Sequence, residues 1–294
     1  MATGLPYDER VNLAYQLVNA SQLQGKELSY NNYLDLDAAW AAVREFRSGC
    51  VIIKRQTPCG VADNDDIVRA YQDAHDCDPV GAYGGVMAFS VEVPAELIEA
   101  IYANGQFVEA IVAPSFTPGA LGLLADKPNV RVLATGGKNR PGIGFDIRSI
   151  EGGVLMQQTD CALECPGKFK VVTECIPSDE QSRELHFAWR VCKSVKSNAI
   201  VITKDGATVG IGTGQPNRVK SAELAVQQAG EKARGAVAAS DAFFPFCDGF
   251  DVLAAAGVAA VIHPGGSVRD QEIIDAANAA NMVIICTHTR HFRH

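Results

Sequence analysis

Short apolar runs alternate with longer amphipathic stretches through most of the chain, a pattern of strands alternating with helices. Strands are predicted at Cys50–Lys54, Val86–Phe89, Ala110–Ala113, Val130–Leu133 and Lys170–Thr173, and then at Ala199–Thr203, Thr208–Gly212, Ala236–Ala239, Ala259–His263 and Val283–Thr287. Between them, Leu36, Trp40, Val43 and Phe46 recur near the helical period in "DLDAAWAAVREF". Ser178 is placed to cap a helix in "SDEQSRELHFAWRVCKSV", which carries acids in its first turn and basic residues later. Asp205-Gly206, between two apolar runs, signals a hairpin. Such alternation predicts a layered α/β fold with at least one antiparallel hairpin. The stretch from Gly136 to Gly167 is rich in glycine and lacks sustained periodicity. It reads as the connection between two halves of similar build, residues 1–165 and 166–294.

Composition narrows the class of partner. With 47% hydrophobic and 20% charged residues in 294, the chain reads as an ordinary soluble globular protein. A net charge of −8 argues against nucleic acid, whose phosphates need a basic surface. A small anionic substrate would need its cations gathered in a pocket. "MATGLPYDER" has no basic stretch leading into an apolar core, and no apolar run approaches a membrane span. The nine cysteines are scattered without a CxxC pair, which suits reduced thiols. These features predict a cytoplasmic location.

Six stretches carry candidate chemistry, the first being the polar "QLQGKELSYNN" (Gln22–Asn32), with Gly25 and paired asparagines. In "VIIKRQTPCG" a strand with no polar face runs into Lys54 and Arg55, and Pro58-Cys59-Gly60 reads as the turn. Strand ends at a sheet rim are where ligands sit, although two snorkelling surface cations would look the same. "SNAIVITKDGATVGIGTGQPNRVKSAELA" sets Ser197-Asn198 before a strand, and glycines 210, 212 and 214 before Gln215 and Arg218. Main-chain N–H groups and Arg218 there could face an anion, or the glycines could serve turns alone. "ASDAFFPFCDGFD" reads as a loop whose aromatics form a slot for a flat heterocycle, with plain core packing as the alternative. "VIHPGGSVRD" takes a strand into a Pro-Gly-Gly turn, and "THTRHFRH" ends the chain beyond the strand "MVIIC", at a sheet edge near a site.

"QLQGKELSYNN", "KSNAIV", "GIGTGQ", "SDAFFPFCDG", "HPGGSVRDQE" and "RHFRH" occur in that order, and together they resemble the AICAR transformylase domain. AICAR is 5-aminoimidazole-4-carboxamide ribonucleotide. The resemblance runs from about Tyr7 to His294. In that family the domain normally follows an IMP cyclohydrolase domain, which is not seen here; a separate cyclohydrolase would then be a partner. The resemblance implies two cytidine-deaminase-like subdomains with three-layer α/β/α build, mixed sheets and no catalytic metal. It implies a homodimer with sites at the interface, and formyl transfer from 10-formyltetrahydrofolate to the AICAR amine. Lys54 matches the family lysine, and Arg55 stands where the catalytic histidine belongs. Tyr7, Gly84, Asn198, Arg218, Phe243 and Arg290 match the nucleotide side. Val219, Pro245, Phe246, Asp248 and Ser267 match the folate side. Departures are Pro6-Tyr7-Asp8 for an Arg-Tyr-Gly, Thr57 for an asparagine, and Cys247 for an arginine.

Arg55 bears directly on the chemistry. The AICAR amine must shed a proton as it attacks, and the departing folate nitrogen needs one. Arginine stays charged and cannot be the base, but it can stabilise an oxyanion or hold a phosphate. Lys54 can exchange a proton, and His263, at a strand end before Pro264-Gly265-Gly266-Ser267, is a further candidate. The alternative for His263 is a histidine that holds its loop by a hydrogen bond. A second function is also open, a non-catalytic paralogue that binds a purine-precursor nucleotide or folate as a regulator. A zinc deaminase fails for lack of ligands after Pro58-Cys59.

Overall fold

The computed structural model describes residues 16–138, 144–160 and 169–294. In its first half the chain forms β1 (Ser21–Gln24), α1 (Tyr30–Val43), β2 (Gly49–Lys54), β3 (Thr57–Asp63), α2 (Ile67–His75) and α3 (Pro79–Ala82). It continues through β4 (Gly85–Phe89), α4 (Ala95–Ala103), β5 (Val108–Ala113), α5 (Pro118–Ala125) and β6 (Arg131–Ala134). A separate hairpin follows, β7 (Phe145–Ile150) with β8 (Gly153–Gln158). The second half forms β9 (Lys170–Val171), α6 (Asp179–Cys192), β10 (Ile200–Lys204), β11 (Ala207–Gly212) and α7 (Arg218–Ala229). It closes with β12 (Val237–Ser240), α8 (Asp248–Ala255), β13 (Ala260–His263), α9 (Asp270–Ala279) and β14 (Val283–Cys286).

Apart from α3, the second half repeats the element order of the first. Ser29 and Ser178 each open the first helix of their half with a reciprocal capping box. Trp40 and Trp189 follow at matching positions, and both are buried. The correspondence extends to close approaches of helix to strand. A Cβ on Gly60 would lie 1.8 Å from the Ala74 carbonyl of α2, and one on Gly210 would lie 2.0 Å from the Ala225 carbonyl of α7. Glycine at these two points lets a helix lie directly on its strand.

All strands except β7 and β8 join one mixed sheet, ordered β1-β6-β5-β4-β2-β3-β11-β10-β12-β13-β14-β9. Helices α1 and α6 cover one face with a core continuous across both halves. On the opposite face α2, α4 and α5 cover the first half, and α7, α8 and α9 the second. The layers are α/β/α, as expected. The boundary expected at 165/166 falls outside the described residues.

The halves meet at a seam between β3 and β11. One ladder pair, Ala62 with Ala207, joins the strands. The Thr208 hydroxyl fastens it further, accepting from Val61 N at 2.9 Å and donating to Val61 O at 3.2 Å. Beyond that point Gln228 of α7 fills the split: its Oε1 accepts from Ile211 N at 2.7 Å, and its Nε2 donates to Cys77 O at 3.0 Å.

Each of the ten expected strands overlaps an observed one. The turn after β2 is a correction: it falls at Arg55-Gln56, both with positive φ (54° and 64°), and Pro58-Cys59-Gly60 lie inside β3. β1 and the β7–β8 hairpin lie in stretches the apolar pattern left as loop and connection.

Candidate active site

Strands β12, β13 and β14 are parallel, and the segments leaving their carboxyl ends gather at one end of the sheet. The Ser197-Asn198 entry to β10 joins them. Arg218, the first residue of α7, lies buried beneath these segments. Its Nη1 donates to the Asp241 carboxylate and to Ser240 Oγ at 2.8 Å, and its Nη2 donates to Asn198 Oδ1 at 2.8 Å. Asn198 in turn donates through Nδ2 to Gln215 O at 2.8 Å, and its carbonyl accepts from Ser221 Oγ at 2.8 Å. Ser197 Oγ donates to the other Asp241 oxygen at 2.5 Å. Arg218, expected to face an anion, thus has Asp241 as its counter-charge.

Sequence reasoning did not single out Asp241. It is fully buried and joins β12, α7 and the Ser197 segment. The available signal was an acid separated by one residue from the apolar run Ala236–Ala239, at the end of a buried strand, where an unpaired charge would be costly.

The aromatic loop divides by exposure. Phe244 is buried edge-on against Phe250 and His263, with centroids 6.3 and 5.5 Å away. Phe243 is half-buried beneath the Arg290 guanidinium, 4.8 Å from its ring centroid. Arg290 is exposed and forms no ion pair among the described residues. Phe246, 52% exposed, stacks with Arg269 at 4.9 Å. Pro245 and Asp248 are exposed beside it, and Val219 in the first turn of α7 is half-buried. Ser267 donates its N–H to Asp270 Oδ1 at 3.0 Å, and its hydroxyl accepts from Arg269 N at 3.1 Å.

His263 ends β13 and is buried. Its Nδ1 accepts from Gly265 N at 3.2 Å, so in the neutral ring Nε2 carries the proton. Burial pushes its pKa from the ordinary 6.5 down to about 4; Asp270 opposes the shift and Arg218 adds to it. The chain end then packs across the strand ends. His291 N donates to Asp241 O at 3.1 Å, and Ser197 N donates to Arg293 O at 2.8 Å.

In the first half Lys54 ends β2 and is half-buried. Its ammonium donates to Tyr83 O at 2.7 Å and Gly84 O at 2.9 Å, which leaves one N–H. Gly84 has φ +67°, and a Cβ there would meet Lys54 Nζ at 3.0 Å. Arg55 is exposed at the hairpin tip and bonds to nothing among the described residues. Tyr7 and Pro6 lie outside the described residues.

Lys54 and the Arg218 frame share one end of the sheet. Every neighbour step from β4 through β2, β3, β11 and β10 to β12 is antiparallel. β4 and β12 therefore run oppositely, and the start of β4, where Lys54 lies, matches the carboxyl end of β12. Four strand steps separate β2 from β12, and the β3–β11 step is parted at this end, so the gap exceeds roughly 19 Å. Within one chain Lys54 does not touch Asn198, Arg218 or Arg290.

Among the described residues no cluster of three or more His, Cys, Asp or Glu could hold a metal ion, and no helix is long and apolar enough to cross a membrane.

A family model described as AICARFT/IMPCHase bienzyme matches residues 4–228. The chain is 49% identical over 283 residues to the bifunctional purine biosynthesis protein PurH of Mycobacterium leprae (strain Br4923), covering 95% of this chain and 53% of the relative. It is 50% identical over 283 residues to the protein of that name from Mycobacterium marinum, with the same coverage. The chain thus spans about half the length of the curated relatives it matches. Among solved structures, RibD of Acinetobacter baumannii aligns with 35% of this chain and 32% of its own at 20% identity and a TM-score of 0.24, a likeness that carries no argument.

Proposed function

Because the chain belongs to the AICARFT/IMPCHase bienzyme family, we propose that it transfers a formyl group from 10-formyltetrahydrofolate to the amine of AICAR, in purine nucleotide synthesis. The observation that carries this reading is the Arg290–Phe243 pair. An exposed guanidinium without a counter-charge lies over a half-buried aromatic ring, beside the Asn198–Arg218 frame. That pairing suits a nucleotide, with phosphate on the cation and base against the ring. The exposed Phe246, flanked by Pro245, Asp248 and Ser267, suits the flat ring system of the folate.

In the step itself the amine nitrogen bonds to the formyl carbon and loses a proton, while the bond from that carbon to the folate nitrogen breaks and the nitrogen gains one. Lys54 is assigned the proton transfer, and the Tyr83 and Gly84 carbonyls hold it in place. Arg55 is assigned to phosphate or to the developing oxyanion. His263 is assigned a positioning role, holding the loop that carries Ser267 through Gly265.

The working unit of this reading is a homodimer in the cytoplasm, with Lys54 of one subunit facing the partner's Arg290 and Asn198. The separation of these groups within one chain supports it. So do Phe145, Ile147, Val154 and Met156, which share one exposed face of the β7–β8 hairpin. The seven cysteines described are free thiols, as suits a reducing compartment.

A second reading, a non-catalytic binder of nucleotide or folate, is favoured by Arg55 in the family histidine's position. One assay separates the two: purified protein with AICAR and 10-formyltetrahydrofolate should yield formylated nucleotide. Binding of both ligands without product would leave the regulator.

A further inference from the structure

The two-residue turn joining β2 to β3 bends at Arg55 and Gln56, between the paired residues Lys54 and Thr57. Both turn residues have positive φ, a mirror-image turn that asparagine and glycine favour and longer side chains resist. Arginine and glutamine do not select it, so a contact from outside the turn must. Asp35, half-buried in the second turn of α1, supplies one: its Oδ1 accepts from Gln56 N at 2.7 Å. A main-chain N–H on a carboxylate is a charge-assisted bond, among the stronger ones available to a turn.

The second half carries the same arrangement. Its hairpin turn, Asp205-Gly206 between β10 and β11, also has two positive φ values, and Gly206 N donates to Glu184 Oε2 of α6 at 2.9 Å. Asp35 lies six residues after the capping Ser29, and Glu184 lies six residues after the capping Ser178. The two turns differ in what they need. Asp-Gly adopts this turn readily, and there it lies at the seam, where Gly206 O accepts from Asp63 N at 3.0 Å. Arg55-Gln56 has no glycine and lies at the end of the sheet that carries Lys54. Lys54 directly precedes the turn and reaches the Tyr83 and Gly84 carbonyls from it. A turn released from Asp35 would displace Lys54 and Arg55 together.

We infer that Asp35 is a positioning residue for the reaction: by holding Gln56 N it keeps the left-handed turn, and with it the Lys54 ammonium, in the working place. The inference rests on the formyl-transfer reading, in which Lys54 carries the proton. Asp35 itself touches no reactant.

Asp35→Ala removes the acceptor, whereas Asp35→Asn keeps an oxygen in its place. Both variants should be folded by circular dichroism, since α1 keeps its capping box and its buried face. In Asp35→Ala kcat should fall about tenfold, the weight that one hydrogen bond to a charged group gives the turn. Asp35→Asn should recover most of that loss. Gln56→Gly added to Asp35→Ala should recover it too, because glycine takes the turn without help. A second readout needs no turnover: acetylation of Lys54 by acetic anhydride, followed by mass spectrometry, should quicken several-fold in Asp35→Ala alone. Unchanged kcat and labelling in Asp35→Ala would overturn the inference. So would an equal loss in Asp35→Asn, or a double variant that stays as slow as Asp35→Ala. If the wild type forms no product while Lys54 labelling still follows Asp35, the formyl-transfer reading fails and the hold of Asp35 on Lys54 stands.

Discussion

Arg218 and Asp241 form an ion pair inside the protein, at the point where the start of α7, the end of β12 and the Ser197-Asn198 segment meet. The Arg218 fork reaches three partners at once, so the pair sets where Asn198 stands. Asp241→Ala would leave the guanidinium buried without a counter-charge. The expected loss is about 3–5 kcal/mol of stability in urea unfolding. Arg218→Met with Asp241→Leu should recover much of it, because an apolar pair carries no stranded charge. A loss for Asp241→Ala below about 1 kcal/mol would mean that water reaches the pair.

Lys54→Ala is expected to lower kcat by about 10²–10⁴-fold, the usual scale for a proton-transfer group. The fold should survive, since the lysine is half-buried at the sheet rim and its hydrogen bonds reach only two main-chain carbonyls. Arg55→Ala should chiefly raise KM for the nucleotide, and Arg55→His should raise kcat. Wild-type turnover in Lys54→Ala would remove the lysine from the mechanism.

Mixing two inactive variants tests the shared site. If Lys54 works with the partner's Arg290, combining Lys54→Ala with Arg290→Ala rebuilds one intact site in each mixed dimer. Activity should return to as much as about a quarter of the wild-type level after subunit exchange. A fully active monomer, or mixed dimers without activity, would place all the groups on one chain.

His263 makes stability depend on pH. Its folded-state pKa of about 4 lies below the ordinary 6.5, so the unfolded chain binds the extra proton first. Stability is therefore complete above about 6.5, declines as the pH falls toward about 4, and levels off below that. Between pH 7 and pH 5 the loss from this group should be about 2 kcal/mol. His263→Gln should flatten that part of the profile in denaturant titrations. An unchanged slope would show that His263 is protonated as readily in the folded chain as in the unfolded one.

The strands legible in the sequence are those buried on both faces, such as β2 and β10, because nothing polar interrupts them. β1 pairs only with β6, and its exposed "SQLQ" carries no apolar signal. β3 was hidden by Pro58 and Gly60, which usually mark turns. Here Gly60 makes room for the Ala74 carbonyl, and Pro58 lies in the part of β3 that has parted from β11, where no ladder N–H is needed. The β7–β8 hairpin is exposed on both faces, so no core imposes a period on it. At the site, Lys54 and the aromatic loop could be read from strand ends and loop composition. Asp241 could not, because its importance comes from Arg218, 23 positions earlier, meeting it in space. The separation of Lys54 from Asn198 follows from strand order across the seam, which no local pattern encodes.

That seam makes the molecule a lever. The clasp of Ala62, Ala207 and Thr208 lies at one end of β3, and Thr57, beside the Lys54 tip, lies five residues away, about 17 Å along the strand. A rotation of about 5° about the clasp would carry the tip some 1.5 Å, roughly the misplacement that can cost a reaction a hundredfold in rate. Gln228, bonded to Ile211 on one side and Cys77 on the other, is the wedge that sets the angle. Gln228→Leu should lower kcat while leaving nucleotide affinity, measured by calorimetry, close to wild type; an unchanged kcat would mean that other contacts set the angle. A side chain that touches no reactant would then act as the adjusting screw between the two arms.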